Sequence, residues 1–201
     1  AILNQVTGWT LVAYYLPLLF QKAGFEDASD AIFQYVLVNG INICLTFISI
    51  YLVDRIGRRP LWLVTSLAMM VGVTTLGLVF HLQITGVAVL LAVLMCGWPH
   101  IIGIGPLPWV MMSEVLPTRI RAKAISLCTM VLWICVFSGT SVFPIVIEFS
   151  EKLLGSPAAA FWMFNVPCLL AFFFGLKMLP ETKGKTLEEL SQLWKPSPKL
   201  N

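Results

Sequence analysis

Residues 103–121 read GIGPLPWVMMSEVLPTRIR and join an apolar segment to a charged one. The first half is apolar but cannot remain a regular helix, because each glycine costs about 1 kcal/mol in a helix interior and each proline removes an amide donor. The second half carries a carboxylate, Glu114, and two guanidinium groups, Arg119 and Arg121. A broken apolar helix that leads into a charged hairpin is typical of a membrane protein that changes conformation.

The composition predicts that the solvent of this chain is lipid. Of its 201 residues, 58% are hydrophobic and only 11% are charged, whereas a soluble domain is about a quarter charged. The five cysteines lie in apolar runs without a paired motif, so we expect packing residues rather than disulfides or metal ligands. The chain begins at Ala1 with no basic segment before its first apolar run, which favours a fragment or a processed chain and no signal peptide.

Charged residues divide the sequence into apolar runs of about 20 residues, the length that a membrane-spanning helix needs. These runs predict an all-α integral membrane bundle over residues 1–179, with six spans at roughly 1–21, 31–53, 60–80, 87–113, 124–147 and 157–178. Residues 180–201 are predicted to form a tail. In that tail Thr186 and Glu189 make a capping box, which predicts a short amphipathic helix.

The basic residues predict the orientation of the bundle. Eleven of the 13 Lys and Arg residues lie on one side, three in each of the loops 54–60 and 114–123 and five in the tail from Lys177. The side rich in Lys and Arg is expected to be cytoplasmic. We therefore expect a multi-pass protein of the plasma membrane or of a bacterial inner membrane.

The polar residues inside the spans leave two interpretations open. Four of them recur on one face of the second span, where they serve either interhelical hydrogen bonds or a ligand: Asn39, Asn42, Thr46 and Ser49. Neither histidine, His81 or His100, has an acidic companion at ligand spacing. The sequence therefore predicts no enzyme, no cofactor and no metal site.

Three motifs identify a family. The chain carries DRIGRR at 54–59, GPLPW at 105–109 followed by Glu114 and Arg121, and PETKG at 180–184. In this order it resembles the C-terminal half of a sugar porter of the major facilitator superfamily, the group of facilitative glucose transporters and proton-coupled hexose and inositol symporters. The resemblance covers nearly the whole chain. It implies one half of a twelve-helix fold and alternating access around a solute held between two six-helix halves.

The resemblance also implies partners and a solute site. The partners are a sugar or polyol, the lipid bilayer and an N-terminal six-helix half, with no nucleic acid. Amide side chains supply donors and acceptors to sugar hydroxyls, and indoles supply stacking area. The implied solute-contacting residues are Asn4, Gln5, Thr10, Asn42, His100, Gly105, Trp109 and Trp133.

The charged residues of the motifs match the cytoplasmic salt-bridge cluster of the family. That cluster closes the inner helix ends in the outward-open state and separates in the inward-open state. Surface ion pairs are individually worth about 0–1 kcal/mol, so such a cluster can bias an equilibrium and still release. The implied gate residues are Asp54, Arg58, Arg59, Glu114 and Arg121.

Several positions depart from the glucose-transporter pattern. Asn4 stands where a glutamine is usual, Thr10 where an asparagine is expected, and Ile101 where glucose facilitators carry a glutamate. Leu132 replaces a frequent amide, and His100 replaces a phenylalanine, either as a packing residue or as a pocket residue. We therefore expect transport of a monosaccharide or polyol, and these departures weigh against glucose. The alternatives are another solute, such as an organic ion, or a non-transporting membrane sensor.

Overall fold

The computed structural model describes residues 2–25, 27–185 and Glu189. Within these residues all regular structure is helical, as the predicted all-α class requires. The elements are α1 (Ile2–Val6), α2 (Trp9–Lys22), α3 (Ala28–Ile56), α4 (Arg58–His81), α5 (Val87–Pro99), a π-helical segment (His100–Ile104), α6 (Leu107–Val115), α7 (Arg121–Leu154), α8 (Ala158–Trp162) and α9 (Asn165–Lys177). Apart from Glu189, the predicted tail helix from Thr186 lies outside the described residues.

Five segments of the described chain are long and apolar enough to cross a bilayer: Ala28–Ile56, Arg58–His81, Val87–Val115, Arg121–Leu154 and Ala158–Lys177. The predicted first span at 1–21 differs, because it is divided into α1 and α2 at Thr7 and Gly8. Gly8 has a φ of 101°, and a Cβ atom there would lie 2.5 Å from the ring of Phe164. Only glycine allows both this left-handed backbone and this close approach.

Helix α4 is the centre of the bundle and packs against α5, α8 and α9. It approaches α5 so closely that a Cβ atom on Gly72 would lie 2.6 Å from the carbonyl oxygen of Met95. On its other side the indole of Trp62 donates to the carbonyl of Ala171 in α9, at 2.7 Å. Small residues and interhelical hydrogen bonds are the contacts that hold helices together in lipid, where apolar burial gives little drive for association.

The prediction that the apolar half of 103–121 is not a regular α-helix holds for residues 103–106 only, because α6 begins at Leu107. Helix α5 ends at Pro99, the π-helical segment follows, and the amide of Gly105 donates to the carbonyl of His100 five residues earlier, at 2.7 Å. The chain turns at Gly105 and Pro106 before α6 begins. The segment from Val87 to Val115 is therefore one span with a break in its middle.

Helices α3 and α7 are the least covered spans of the described bundle. Within an apolar 18-residue segment of each span, only 17% of the residues are buried in α3 and 22% in α7, against 56% in Val87–Val115. Their exposed side chains include Phe33, Phe47, Phe137 and Phe149. Such apolar faces lie against lipid or against a second helical bundle.

Candidate functional site

The break within Val87–Val115 leaves two backbone carbonyls without their usual helical donors. An α-helix would serve the carbonyls of Ile102 and Ile104 with the amides of residues 106 and 108, but both of those residues are prolines. Side chains of two other helices serve them instead. The hydroxyl of Ser49 in α3 donates to Ile102 at 2.8 Å, and the Asn4 amide in α1 donates to Ile104 at 2.7 Å. The proline-broken segment is thus held between α1 and α3.

Asn4 is fully engaged within the chain. Its side chain is buried, and Nδ2 also donates to the carbonyl of Gly105, at 2.9 Å. Its Oδ1 accepts a hydrogen bond from Nε2 of Gln5 at 2.8 Å, and its backbone carbonyl accepts the hydroxyl of Thr7 at 2.9 Å. In this conformation Asn4 therefore positions the broken helix rather than offering an open polar group.

Two predicted solute residues carry buried acceptors that have no partner in the described chain. One is Oε1 of Gln5, whose Nε2 is bound to Asn4, and the other is Oδ1 of Asn42. Leaving a buried acceptor unpaired costs about 1–3 kcal/mol. These two amides, on α1 and α3, therefore point to donors that lie outside the described residues.

His100 begins the π-helical segment and is 8% exposed. Its ring centroid lies 6.5 Å from that of Trp9, and its Nδ1 has no partner in the described chain. A Cβ atom on Gly105 would lie 3.0 Å from Cδ2 of the imidazole, so Gly105 leaves the space that the ring occupies. The structure thus brings Asn4, Gln5, His100 and Gly105 to one junction.

The other predicted solute residues are less buried than Asn4 and His100. The side chains of Trp109 and Trp133 are 43% and 57% exposed, and Thr10 is half-buried on α2. Sequence reasoning missed the role of Ser49, although it placed this serine in the polar stripe of the second span. The stripe indicated a bonded face, but the partner, a carbonyl orphaned by proline, was not assigned.

The motif loops and the start of the tail meet at one end of the bundle, which we call the basic end (residues 54–60, 114–123 and 177–185). At its centre Arg58 binds Glu114, with 2.7 Å between Nη2 and Oε1. Arg58 also lies 3.3 Å from Asp54 and donates to the carbonyl of Val53 at 3.1 Å. The Arg58 and Glu114 side chains are 13% and 23% exposed, whereas that of Asp54 is 75% exposed, so the first pair is the shielded one.

Glu181 of the PETKG motif caps the first turn of α4. Its carboxylate accepts the backbone amides of Arg58 at 3.1 Å and of Arg59 at 3.0 Å. Gly57 precedes them, and a Cβ atom there would lie 2.8 Å from Oε2 of Glu181, so a side chain at this position would displace the cap. A carboxylate at this place satisfies free amides and interacts favourably with the helix dipole.

Burial and hydrogen bonding act in opposite directions on the pKa of Glu181. Partial burial raises the pKa, but the backbone amides of Lys183, Arg58, Arg59 and Thr182 stabilise the carboxylate and together hold its pKa below the usual value. Next to it, the hydroxyl of Thr182 donates to Oε2 of Glu114 at 2.5 Å. Sequence reasoning quoted this motif but assigned these residues no contact, because their partners lie more than sixty positions away.

Two predicted members of the salt-bridge cluster do not form ion pairs with any described carboxylate. Arg59 donates to the carbonyls of Gly175 and Leu176 at the end of α9, at 3.2 and 2.6 Å. Arg121 donates to the carbonyl of Leu116 at 3.1 Å and to the hydroxyl of Thr118 at 3.5 Å. The two oxygens of Glu114 accept hydrogen bonds from Arg58 and Thr182 here, and the role of Arg121 in the cluster stays a prediction.

Polar contacts also connect α2 and α7, one of them at the opposite end of the bundle. Lys22, at the end of α2, pairs with Glu151 in α7 at 2.5 Å. Halfway along α2 the hydroxyl of Tyr15 donates to the carbonyl of Thr140 in α7, at 2.9 Å. In the part of the chain that the structure describes, no three His, Cys, Asp or Glu side chains form a group that could hold a metal.

The comparison with known families assigns the class of protein. Residues 1–194 match the family described as sugar (and other) transporter. The chain belongs to this family and is an integral membrane protein with a helical bundle of the kind found in the major facilitator superfamily. The relatives that it matches are transporters rather than enzymes.

Individual relatives narrow the comparison. The D-xylose-proton symporter of Escherichia coli (strain K12) is 34% identical over 200 residues, which is 99% of this chain and 40% of the relative. The facilitated trehalose transporter Tret1 of Drosophila grimshawi is 37% identical over 196 residues, 94% of this chain and 20% of the relative. The structure of the proton:xylose symporter XylE bound to 6-bromo-6-deoxy-D-glucose superposes with a TM-score of 0.84 at 32% identity, covering 96% of this chain and 42% of that one. The chain thus spans less than half the length of these relatives.

Proposed function

We propose that the chain is the C-terminal half of a twelve-helix transporter that moves a monosaccharide or a polyol by alternating access. The match over residues 1–194 and the coverage of 40% of the xylose symporter support a half-length unit. In this proposal residues 1–179 form the six-span bundle, and residues 180–201 form the tail. Helices α1 and α2 together make the first span, which precedes the five long apolar segments. The basic end faces the cytoplasm of a plasma or bacterial inner membrane.

The observation that carries the solute site is the pair of buried, unpartnered amide oxygens, Oε1 of Gln5 and Oδ1 of Asn42. Hydroxyl groups of a sugar are donors that would satisfy such acceptors. The exposed indoles of Trp109 and Trp133 offer apolar area to the C–H faces of a sugar ring. The named substrates of the relatives are sugars, which favours a sugar over an organic ion.

The neighbours of the two amides shape the same site. Asn4 of α1 binds Gly105 and so positions the broken helix. His100 contacts the ring of Trp9 in α2, and Thr10 follows Trp9 in that helix. His100, in place of a phenylalanine, adds a polar group. Asn4 and Thr10 are shorter than the glutamine and the asparagine that are usual at their positions. These changes support a solute whose hydroxyl pattern differs from that of glucose.

The basic end is proposed to be the cytoplasmic gate. Its core is the Arg58–Glu114 pair, supported by Asp54 and by Thr182 from the tail. Glu181 fixes the start of α4 from the same segment, and Arg59 and Arg121 tie loop and helix ends. Opening the cytoplasmic side would require Glu114 to separate from Arg58, and the pair's partial exposure keeps that cost moderate.

Uptake by the full-length transporter tests the function. Proteoliposomes would be supplied with labelled D-xylose, L-arabinose, D-glucose, trehalose, myo-inositol and an organic cation. We expect saturable uptake of at least one sugar or polyol, reduced by Gln5→Ala, with no uptake of the cation. Uptake equal to that of protein-free liposomes for every sugar and polyol would refute the proposal, and saturable uptake of the cation alone would favour the organic-ion alternative.

A further inference from the structure

An apolar crevice lies behind α6, between α6, α7 and α9 and close to the basic end. It has a volume of about 310 Å³, and its walls include Pro108, Met111, Met112, Cys128, Phe174 and Met178. A second apolar cavity of about 430 Å³ adjoins it, because both are lined by Trp62, Cys128 and Phe174. Each volume lies in the range of about 300–1,000 Å³ that is typical of small-molecule pockets.

The chemistry of the walls selects an alkyl chain rather than a sugar. Among the described residues no charged side chain lines either cavity. The only indole donor, Nε1 of Trp62, is already bound to the carbonyl of Ala171 at 2.7 Å. Three of the walls are methionines, which adapt to flexible apolar partners. Met178 and Leu127 are 71% and 58% exposed, so the space opens at the surface of the bundle.

Basic residues adjoin the crevice, and the two carboxylates beside it are already engaged: Glu114 by Arg58, and Glu181 by backbone amides of α4. Leu116 lines the crevice, and its carbonyl accepts Nε of Arg121 at 3.1 Å. The other acceptor of Arg121 in the described chain is the Thr118 hydroxyl, so this guanidinium has only neutral partners there. Lys177, exposed at the end of α9, directly precedes the lining residue Met178. A guanidinium presents a fork that matches the oxygens of a phosphate.

We propose that the crevice and the basic residues beside it form a binding site for an anionic phospholipid of the basic-side leaflet. Its acyl chain lies between α6, α7 and α9, and its phosphate contacts Arg121 with Lys177 nearby. The apolar volume accounts for the chain, and the guanidinium without an acidic partner accounts for the head group. A lipid bound here fills the crevice and packs against the face of α6 that lines it.

Photo-crosslinking of the full-length transporter in phosphatidylcholine nanodiscs tests this site. One probe is phosphatidylglycerol with a diazirine in its acyl chain, and the matched neutral probe is phosphatidylcholine with the same chain. We expect phosphatidylglycerol to label peptides that contain Met112, Cys128 and Met178. Arg121→Gln should lower this labelling about five-fold, as expected for one basic contact near a membrane surface, and leave the neutral probe unchanged.

A second variant tests the apolar part independently. Cys128→Trp fills the shared wall of both cavities and should reduce labelling by both probes at these peptides. Leu78→Trp adds the same bulk at an exposed position of α4 and should change neither. Labelling spread evenly over exposed faces such as α3 would overturn the proposal. Unchanged phosphatidylglycerol labelling in Arg121→Gln would also overturn it. That second result decides the question even if Cys128→Trp fails to fold.

Discussion

Replacing Glu181 by alanine removes the carboxylate that accepts the first two amides of α4. Those amides, from Arg58 and Arg59, lie at 3.1 and 3.0 Å from its two oxygens, and alanine leaves both without an acceptor. The substitution also detaches residues 181–183 from the start of α4, because the Lys183 amide binds the same carboxylate at 2.9 Å. Glu181→Gln keeps the shape of the side chain and one acceptor oxygen but loses the negative charge.

The expected magnitude follows from the geometry. Loss of a side-chain cap costs about 0.5–2 kcal/mol, and loss of a negative charge at a helix N-terminus costs about 0.3–1 kcal/mol. We therefore expect Glu181→Ala to destabilise the full-length transporter by about 1–3 kcal/mol and Glu181→Gln by about 1 kcal/mol. The control Glu148→Ala removes an exposed carboxylate, whose solvent-screened pair with Lys152 contributes little to stability.

Thermal melting of the purified transporter measures these differences, and pH separates the charge from the shape. The folded pKa of Glu181 is lower than its unfolded value of 4.5, so its contribution is complete above that pH and is lost as pH falls through the folded pKa. The gap between wild type and Glu181→Gln should therefore be constant near neutral pH and shrink below about pH 4.5. A Glu181→Ala variant that melts like Glu148→Ala, or a gap that widens on acidification, would refute the capping role.

Three further predictions concern the framework of the site. Gly8→Ala should cost about 2–4 kcal/mol of stability in thermal melting, because it combines an unfavourable backbone conformation with a clash against Phe164. The control Gly155→Ala, at a φ of 67° with no neighbour within 4 Å, should cost only about 1 kcal/mol. Equal losses would contradict the role of the Phe164 contact. Ser49→Ala should cost about 1–3 kcal/mol by orphaning the carbonyl of Ile102, and Ser126→Ala, on an exposed helix face, should be nearly neutral; a neutral Ser49→Ala would show that this carbonyl has another donor. A double-mutant cycle with alanine should give a coupling of about 1.5–3 kcal/mol for Arg58 with Glu114 and about 0–1 kcal/mol for Arg58 with Asp54, and the reverse order would contradict the shielded core of the gate.

Much of the fold follows from the sequence because lipid imposes a simple rule on apolar runs. Runs of bilayer length free of charge predicted the helices of five spans, and the glycines and prolines of residues 103–108 predicted a break within Val87–Val115. The break at Gly8 was not predicted. Its cause is the close approach of Phe164, a residue 156 positions away, which no local pattern reveals.

The site was predictable in residue type but not in pairing. The motifs indicated that Arg58 and Glu114 belong together, and the structure places them 2.7 Å apart. They did not indicate that Thr182 donates to Glu114 or that Arg121 donates to Leu116, because these contacts depend on how the tail and the loop fold back. Likewise, sequence reasoning placed Asn4 among solute residues, whereas the prolines of the broken helix make it the donor to Ile104.

The proposed solute site rests on the unpartnered amide oxygens of Gln5 and Asn42, which are proposed to bind a sugar or polyol. Isothermal titration of the full-length transporter with the best-transported solute of the uptake panel tests it most directly. Asn42→Ala removes one unpartnered acceptor, while Asn39→Ala, one turn away, removes a half-buried amide that donates to the carbonyl of Tyr35 at 2.8 Å. We predict that Asn42→Ala raises the Kd about five- to thirteen-fold, as expected for one lost hydrogen bond of about 1–1.5 kcal/mol, and that Asn39→Ala leaves it unchanged. Equal Kd values for wild type and Asn42→Ala would contradict the account.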